Sequence, residues 1–214
     1  MKVLVTGAAG FIGSHMAELL QRNGFSVTGL DKFSDYYSPQ LKMLNAAELM
    51  NQGVSIHKID LCQPDQLKAL PADFDFIFHF AARPGISAKS SFEDYLDNNL
   101  IATRHLLDFA QNCKNLKHFF NISTSSVYGR EATLNEGDTP SPISWYGVTK
   151  LAAEQLVLAT SRNRKLKASS LRLYSVYGPR ERPDKLYTRL ISCALSGEEF
   201  PLFEGSESHR RSFT

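Results

Sequence analysis

Short apolar runs with the look of strands recur at 3–5, 26–30, 54–59, 74–80, 117–122 and 168–173, with helical patterns near 11–22, 39–50, 64–70, 92–112 and 145–161. So regular an alternation leaves few ways to fold. Successive strands joined by helices make right-handed crossovers, and these build a parallel sheet with helices on both faces. The sequence therefore predicts an α/β chain with a Rossmann-type doubly wound sheet. No repeat, linker or low-complexity stretch interrupts it. From about residue 174 the alternation gives way to turns at Gly178-Pro179 and Arg182-Pro183, one helix near 184–196, and an irregular end. The expected division is a sheet unit over 1–174 and a partial second region over 175–214, a chain that stops in mid-design.

The first crossover carries the sharpest local signal. "KVLVTGAAGFIGSHMAELL" (2–20) runs from a β-branched strand into a helix with Gly7, Gly10 and Gly13 between them. A strand that turns at once into a helix needs residues without a Cβ where backbones touch. The same turn aims unpaired N–H groups and the positive end of the helix dipole outward, which suits a phosphate. The next strand ends at Asp31, 18 positions after Gly13. A carboxylate there hydrogen-bonds the ribose hydroxyls of a dinucleotide and repels a 2′-phosphate, so NAD is expected over NADP. An ordinary turn-capping Asp31 is the competing reading.

Two other strand ends are candidates. "DFIFHFAARPG" (75–85) exits into small residues that let backbone approach a cofactor, or is a plain strand exit. "KIDLCQP" ends at Asp60-Leu61, well placed for an adenine ring, with a helix N-cap role for Asp60 or Gln63 as the alternative. The strongest candidate for chemistry joins "NISTSSVYG" (121–129) to "SWYGVTK" (144–150). Tyr146 and Lys150 stand four apart on one helix face. A lysine there, with the positive charge of an oxidised nicotinamide, favours phenolate and makes Tyr146 a usable general base. Thr124 can hydrogen-bond the same substrate oxygen. On an ordinary helix such a pair is surface chemistry.

Bulk properties exclude some classes. A formal net charge of +2 on 214 residues, 43% of them hydrophobic, points to a globular protein without a nucleic-acid or membrane partner. The densest basic run, "RNRKLK" at 162–167, reads as a solvated loop. No stretch is long enough to span a membrane, and the N-terminus enters a strand directly, so no signal peptide is expected. Cys62, Cys113 and Cys193 lack metal-ligand spacing, which predicts no metal and reduced thiols in a cytoplasmic protein.

The quoted motifs, together with "GLDKFSDYYS", "DNNL" and "LRLYSVYGPRERPD", resemble the extended short-chain dehydrogenases/reductases, the branch of nucleotide-sugar epimerases and dehydratases. Within it the chain is most similar to UDP-glucuronate 4-epimerases. The resemblance implies NAD as cofactor and a UDP-sugar as substrate. It implies that Gly7, Gly10, Phe11, Ile12 and Gly13 line the pyrophosphate, that Asp31 with Lys32 holds the ribose, and that Asp60 and Leu61 flank adenine. Ala81, Ala82 and Arg83 would run beside the cofactor, Asn98 would contact it, and Asn99 would be structural. Thr124, Tyr146 and Lys150 would be catalytic, and Tyr174 would abut the nicotinamide. Ser125, Ser175, Arg182 and Arg211 would meet the substrate. By analogy a homodimer would form through the helices near 92–112 and 145–161.

One detail separates the family's reactions. Dehydratases carry an Asp-Glu pair after the Thr, and decarboxylases keep the Glu; here those positions are Ser125 and Ser126. Elimination then lacks a proton carrier, whereas epimerisation through a 4-keto sugar needs none. Three departures from the family accompany this. Its "AGVR" reads "PGIS", so Ser87 replaces the arginine, with Lys89 or Arg83 as substitutes. Its "RDF" reads Arg211-Ser212-Phe213. Its further substrate-domain elements are not in the chain. A dehydratase, decarboxylase or reductase of nucleotide sugars, or an NAD-binding fragment without turnover, are the alternatives.

Overall fold

A computed structural model describes residues 1–85, 90–130 and 134–201. Six strands, β1 (Lys2–Thr6), β2 (Ser26–Asp31), β3 (Ser55–Lys58), β4 (Phe76–His79), β5 (His118–Thr124) and β6 (Ala168–Leu173), form one sheet in the order β3-β2-β1-β4-β5-β6. Every pairing is parallel. The order reverses between β1 and β4, which opens a crevice at the carboxyl ends of the strands where such sheets bind ligands.

The apolar runs explain why the sheet is sealed on both faces. Along β1, Val3 and Val5 join Ala17, Val27, Leu49 and Val54 in one core, beneath α1 (Phe11–Arg22) and α2 (Pro39–Asn51). Leu4, between them, faces the other side and packs with Ile77, Leu106, Leu107, Phe119 and Val157. A strand buried on both faces must be apolar at every position rather than at alternate ones, and Val3-Leu4-Val5 is. The second core lies under α5 (Ala102–Gln111) and α6 (Trp145–Arg162).

Two elements differ from the sequence reading. The helix expected near 64–70 is a single turn, α3 (Pro64–Leu67). The continuous helix expected over 92–112 is α4 (Phe92–Tyr95), a widened π-helical turn over Leu96–Ile101, and then α5. The buried Asn99 in that turn bonds outward to two other segments, and π-turns of this kind concentrate at functional sites. The last helix, α7 (Leu186–Ser196), buries none of its residues.

Candidate active site

The glycines between β1 and α1 are dictated by space. Gly7 has φ +67°, and a Cβ on it would lie 2.8 Å from the Ala81 nitrogen. A Cβ on Gly13 would lie 2.2 Å from the Gly7 carbonyl oxygen, inside any allowed contact. Gly10 caps α1 without a side chain, and the first turn of the helix, opened by Phe11 and Ile12, has no acidic residue. The result is a backbone cradle at a positive helix end. Asp31 stands beside it: its carboxylate accepts from the Ala9 and Phe33 N–H groups at 3.2 and 2.8 Å. The cradle, with a carboxylate at the end of β2, fits the pyrophosphate and ribose of NAD.

Around the adenine end, Lys32 spans the crevice. Its ammonium donates to Asn98 Oδ1 at 2.5 Å and lies 3.6 Å from Asp60. Asp60 is no helix cap; it accepts from the Cys62 N–H at 2.9 Å, an Asx turn. The Leu61 side chain is in the second core, and its carbonyl accepts from His105 Nδ1 at 2.9 Å. Ala81, with Ala82 after it, continues β4 under the Gly7 turn. Arg83 turns away, its Nε donating to Ser90 Oγ at 2.9 Å.

The side chains expected to react gather where β5 meets α6. Thr124 ends β5, and its hydroxyl accepts from the Ser126 N–H at 3.1 Å, capping a 3-10 turn over Ser125–Tyr128. Gly147 lets α6 begin against that turn, because a Cβ there would lie 2.6 Å from the Ser126 carbonyl. Tyr146 follows the N-cap Ser144, and Lys150 lies one turn further, buried. Burial pushes the Tyr146 phenol above its ordinary value, against the hydrogen bond from Thr124 and the charge of Arg182, which both draw it down. In the protein by itself desolvation outweighs these side chains. Burial also lowers Lys150 to about 8, opposed by Glu154.

Glu154 was not singled out from the sequence, although it continues the stripe at 146, 150 and 154. It is buried and receives Arg172, with Nε at 3.1 Å from both carboxylate oxygens and Nη2 at 2.6 Å. Arg172 in turn donates to Tyr128 Oη at 2.9 Å. A pair sealed in this way keeps a negative charge beneath Lys150 and locks α6 to β6.

A second network was equally invisible. The Ala81 N–H donates to Thr6 Oγ1 (3.2 Å), and Thr6 bonds His79 Nδ1 (2.8 Å). His79 Nε2 bonds Thr103 Oγ1 (2.9 Å), which donates to the Asn99 carbonyl (2.6 Å). Only one assignment of protons satisfies this run: Thr6 donates to Nδ1, and a neutral His79 donates from Nε2. Burial, then the nearby Lys150 charge, holds His79 down at about 3, in keeping with a neutral ring. From the Asn99 side chain the path continues through Thr149 Oγ1 (3.1 Å) to the Tyr146 carbonyl (3.1 Å). The turn under the cofactor cradle is therefore joined by hydrogen bonds to the turn that carries Tyr146.

Of the residues expected to meet the substrate, Arg182 is buried and Ser175 half-buried, both in the segment after β6. The Tyr174 hydroxyl donates to the Leu134 carbonyl at 3.2 Å. Arg211, Ser87, Lys89, Ser212 and Phe213 lie outside the described residues. Among the described residues no cluster of His, Cys, Asp and Glu could hold a metal, and no helix is long and apolar enough to cross a membrane.

The sequence model of the NAD-dependent epimerase/dehydratase family matches residues 3–214. The chain belongs to that family. Among its members, the uncharacterized UDP-glucose epimerase YtcB of Bacillus subtilis (strain 168) is 38% identical over all of this chain, which covers 68% of that protein. UDP-glucuronate 4-epimerase 3 of Arabidopsis thaliana is 36% identical over 95% of this chain, covering 49% of its own length. The chain thus spans between about half and about two thirds of these relatives. Among solved structures, UDP-glucuronic acid 4-epimerase from Bacillus cereus, in complex with UDP-glucuronic acid and NAD, superposes with a TM-score of 0.91. It is 39% identical over the whole of this chain and 69% of its own.

Proposed function

We propose that this chain carries the cofactor site and the reacting residues of an NAD-dependent UDP-sugar 4-epimerase, with a UDP-hexuronate as the preferred substrate. The observation that carries the reading is Tyr146 beside Thr124 at the carboxyl end of β5, with Ser125 and Ser126 where eliminating relatives keep carboxylates. NAD⁺, when bound, supplies a hydride acceptor that also returns the hydride. The protein's part is acid–base and positional. Tyr146 accepts the C4 hydroxyl proton as the C4–H bond breaks, and gives it back when the epimeric alcohol forms. Thr124 holds the same oxygen. Lys150 holds the cofactor's ribose and lends positive charge, and the Glu154–Arg172 pair under it keeps that charge in place. Asp31 selects NAD over NADP.

Residues 1–174 serve as the NAD-binding unit and the segment from 175 onward, with Ser175, Arg182 and Arg211, as the start of the substrate side. The proposed location is cytoplasmic. The proposed assembly is a homodimer through the helices near 92–112 and 145–161. Exposed Phe92 and Trp145, edge to face at 6.2 Å, and exposed Val148 make an apolar patch on that face. Incubation of the NAD-loaded protein with UDP-glucuronate, followed by proton NMR of the sugar C4 position, tests the function. Appearance of UDP-galacturonate supports it, and its absence with an unsaturated or decarboxylated product refutes it.

A further inference from the structure

The mechanism above leaves the segment Asp35–Ser38, just after β2, without a task. Yet Tyr36 in that segment has two cations against its ring. Its ring centre lies 4.3 Å from the Arg83 guanidinium carbon and 5.0 Å from that of Arg182. Its hydroxyl donates to the Pro84 carbonyl at 3.0 Å, and the same carbonyl accepts from Arg182 Nη1 at 3.4 Å. Residues from three separate loops, after β2, β4 and β6, thus meet on one aromatic ring at the carboxyl edge of the sheet. Lys42 fastens the loop from behind, donating to the Ser34 carbonyl at 2.7 Å and lying 4.5 Å from the Tyr37 ring centre.

The charges around this ring do not cancel inside the protein. The Arg182 side chain is 9% exposed, whereas its carboxylate partner Asp184, 3.1 Å away, is 63% exposed. Arg83 is likewise more buried than its partner Asp94, at 3.6 Å. The two guanidiniums thus lie deeper than their carboxylate partners, which face water and are screened there. Arg182 is also close enough to the Tyr146 phenol to act on it electrostatically. A face-on aromatic ring is what two guanidiniums require to share so small a space, because the ring's negative face attracts both.

We propose that Tyr36 is a positioning residue whose ring holds Arg182, with Arg83 against its other contacts, as a doubly cationic clasp for the anionic part of the nucleotide sugar. Arg83 thereby supplies the second charge at the substrate end. The proposal rests on the UDP-sugar reading of the site. Its test compares Tyr36→Leu and Tyr36→Phe in the NAD-loaded chain. The Leu variant removes the π-face, and the Phe variant keeps it.

For Tyr36→Leu the expected result is a roughly tenfold higher KM for UDP-glucuronate with kcat changed by less than about threefold. NAD⁺ affinity and melting temperature, measured in parallel, stay near wild type and exclude collapse of the Asp31 loop. Tyr36→Phe recovers the wild-type KM to within about threefold. UDP-glucose as a second substrate identifies the group held: an equal rise marks the diphosphate, and a rise for UDP-glucuronate alone marks the carboxylate. A readout independent of turnover is phenylglyoxal modification mapped by mass spectrometry. Arg182 is protected in the wild type, reacts several times faster in Tyr36→Leu, and is protected again in Tyr36→Phe. If the wild type turns over no UDP-sugar, the functional reading falls while the labelling still decides the clasp. Unchanged KM and unchanged labelling in Tyr36→Leu, or a Phe variant that behaves as Leu does, overturns the proposal.

Discussion

Two stretches face each other across the crevice, and they are held in opposite ways. The turn over Gly7–Gly13 is shaped by what is missing: at Gly7 and Gly13 a single methyl group would strike backbone. The strap over Gly178–Asp184 is shaped by what its side chains reach. Arg180 Nη1 lies 3.0 Å from Glu18 and 3.4 Å from Ser14 Oγ, and the Pro179 carbonyl accepts from His15 Nε2 at 2.9 Å. The first is a steric constraint that no other residue type satisfies. The second is a set of ties, each replaceable and each worth little alone. A cofactor site can therefore be rigid where its strap remains adaptable.

Gly13→Ala tests the rigid side and carries the largest expected effect. With a Cβ 2.2 Å from the Gly7 oxygen, the turn must open, and NAD⁺ binding measured by calorimetry is lost. Gly24→Ala is its control. That glycine, unlike Gly13, has a positive φ (+79°), and nothing lies within 4 Å of the added Cβ, so only backbone strain of about 1 kcal/mol is expected, with NAD⁺ affinity intact. Equal losses in the two would show that any disturbance around α1 abolishes binding, and that the close approach at Gly13 does not decide the cradle.

Tyr146→Phe crosses from binding to chemistry. It keeps the ring and removes the proton carrier, so turnover falls on the order of 10²–10⁴-fold while NAD⁺ affinity stays near wild type. Retained turnover would remove Tyr146 from the reaction. Asp31→Ala is milder: loss of a charged hydrogen-bonding partner should narrow the NAD⁺ over NADP⁺ preference by about tenfold. Equal preference in the wild type would contradict the ribose assignment.

Arg180→Gln tests the adaptable side and carries the smallest effect. Its ion pair with Glu18 is partly exposed, so a fall in melting temperature of no more than a few degrees is expected. Glu18 is held below its usual value chiefly by the Gln52 hydrogen bond, with Arg180 a lesser influence, so much of its stabilisation survives the substitution. A collapse of NAD⁺ binding in this variant would mean that the strap is as strictly required as the turn.

The same contrast explains what could be read from the sequence. The doubly wound sheet was legible because strands buried on both faces must be apolar throughout, and Val3-Leu4-Val5 is. The cradle was legible because only glycine tolerates those contacts. The stripe of Tyr146 and Lys150 was legible from its spacing, and Glu154 extends it by one more turn. The rest depends on partners far along the chain. Arg172 meets Glu154 only once β6 lies beside α6, and His79 meets Thr6 and Thr103 only across the sheet. The π-turn at Leu96–Ile101 left no mark because its apolar spacing still reads as helix; the reason for it, Asn99 bonded to Arg83 and Thr149, is tertiary. Tyr36 was part of the motif "GLDKFSDYYS", but its contacts could not be read there, because its guanidinium partners are 47 and 146 positions away.

The central claim is that Tyr146 and a bound NAD move one proton and one hydride out of C4 and back to the same carbon. UDP-glucuronate deuterated at C4, incubated with the NAD-loaded protein and followed by NMR and mass spectrometry, tests this directly. The account predicts UDP-galacturonate that keeps its deuterium at C4, because the hydride returns within the same site. Product in which the C4 deuterium has exchanged with solvent hydrogen, or has left with the cofactor, would contradict it.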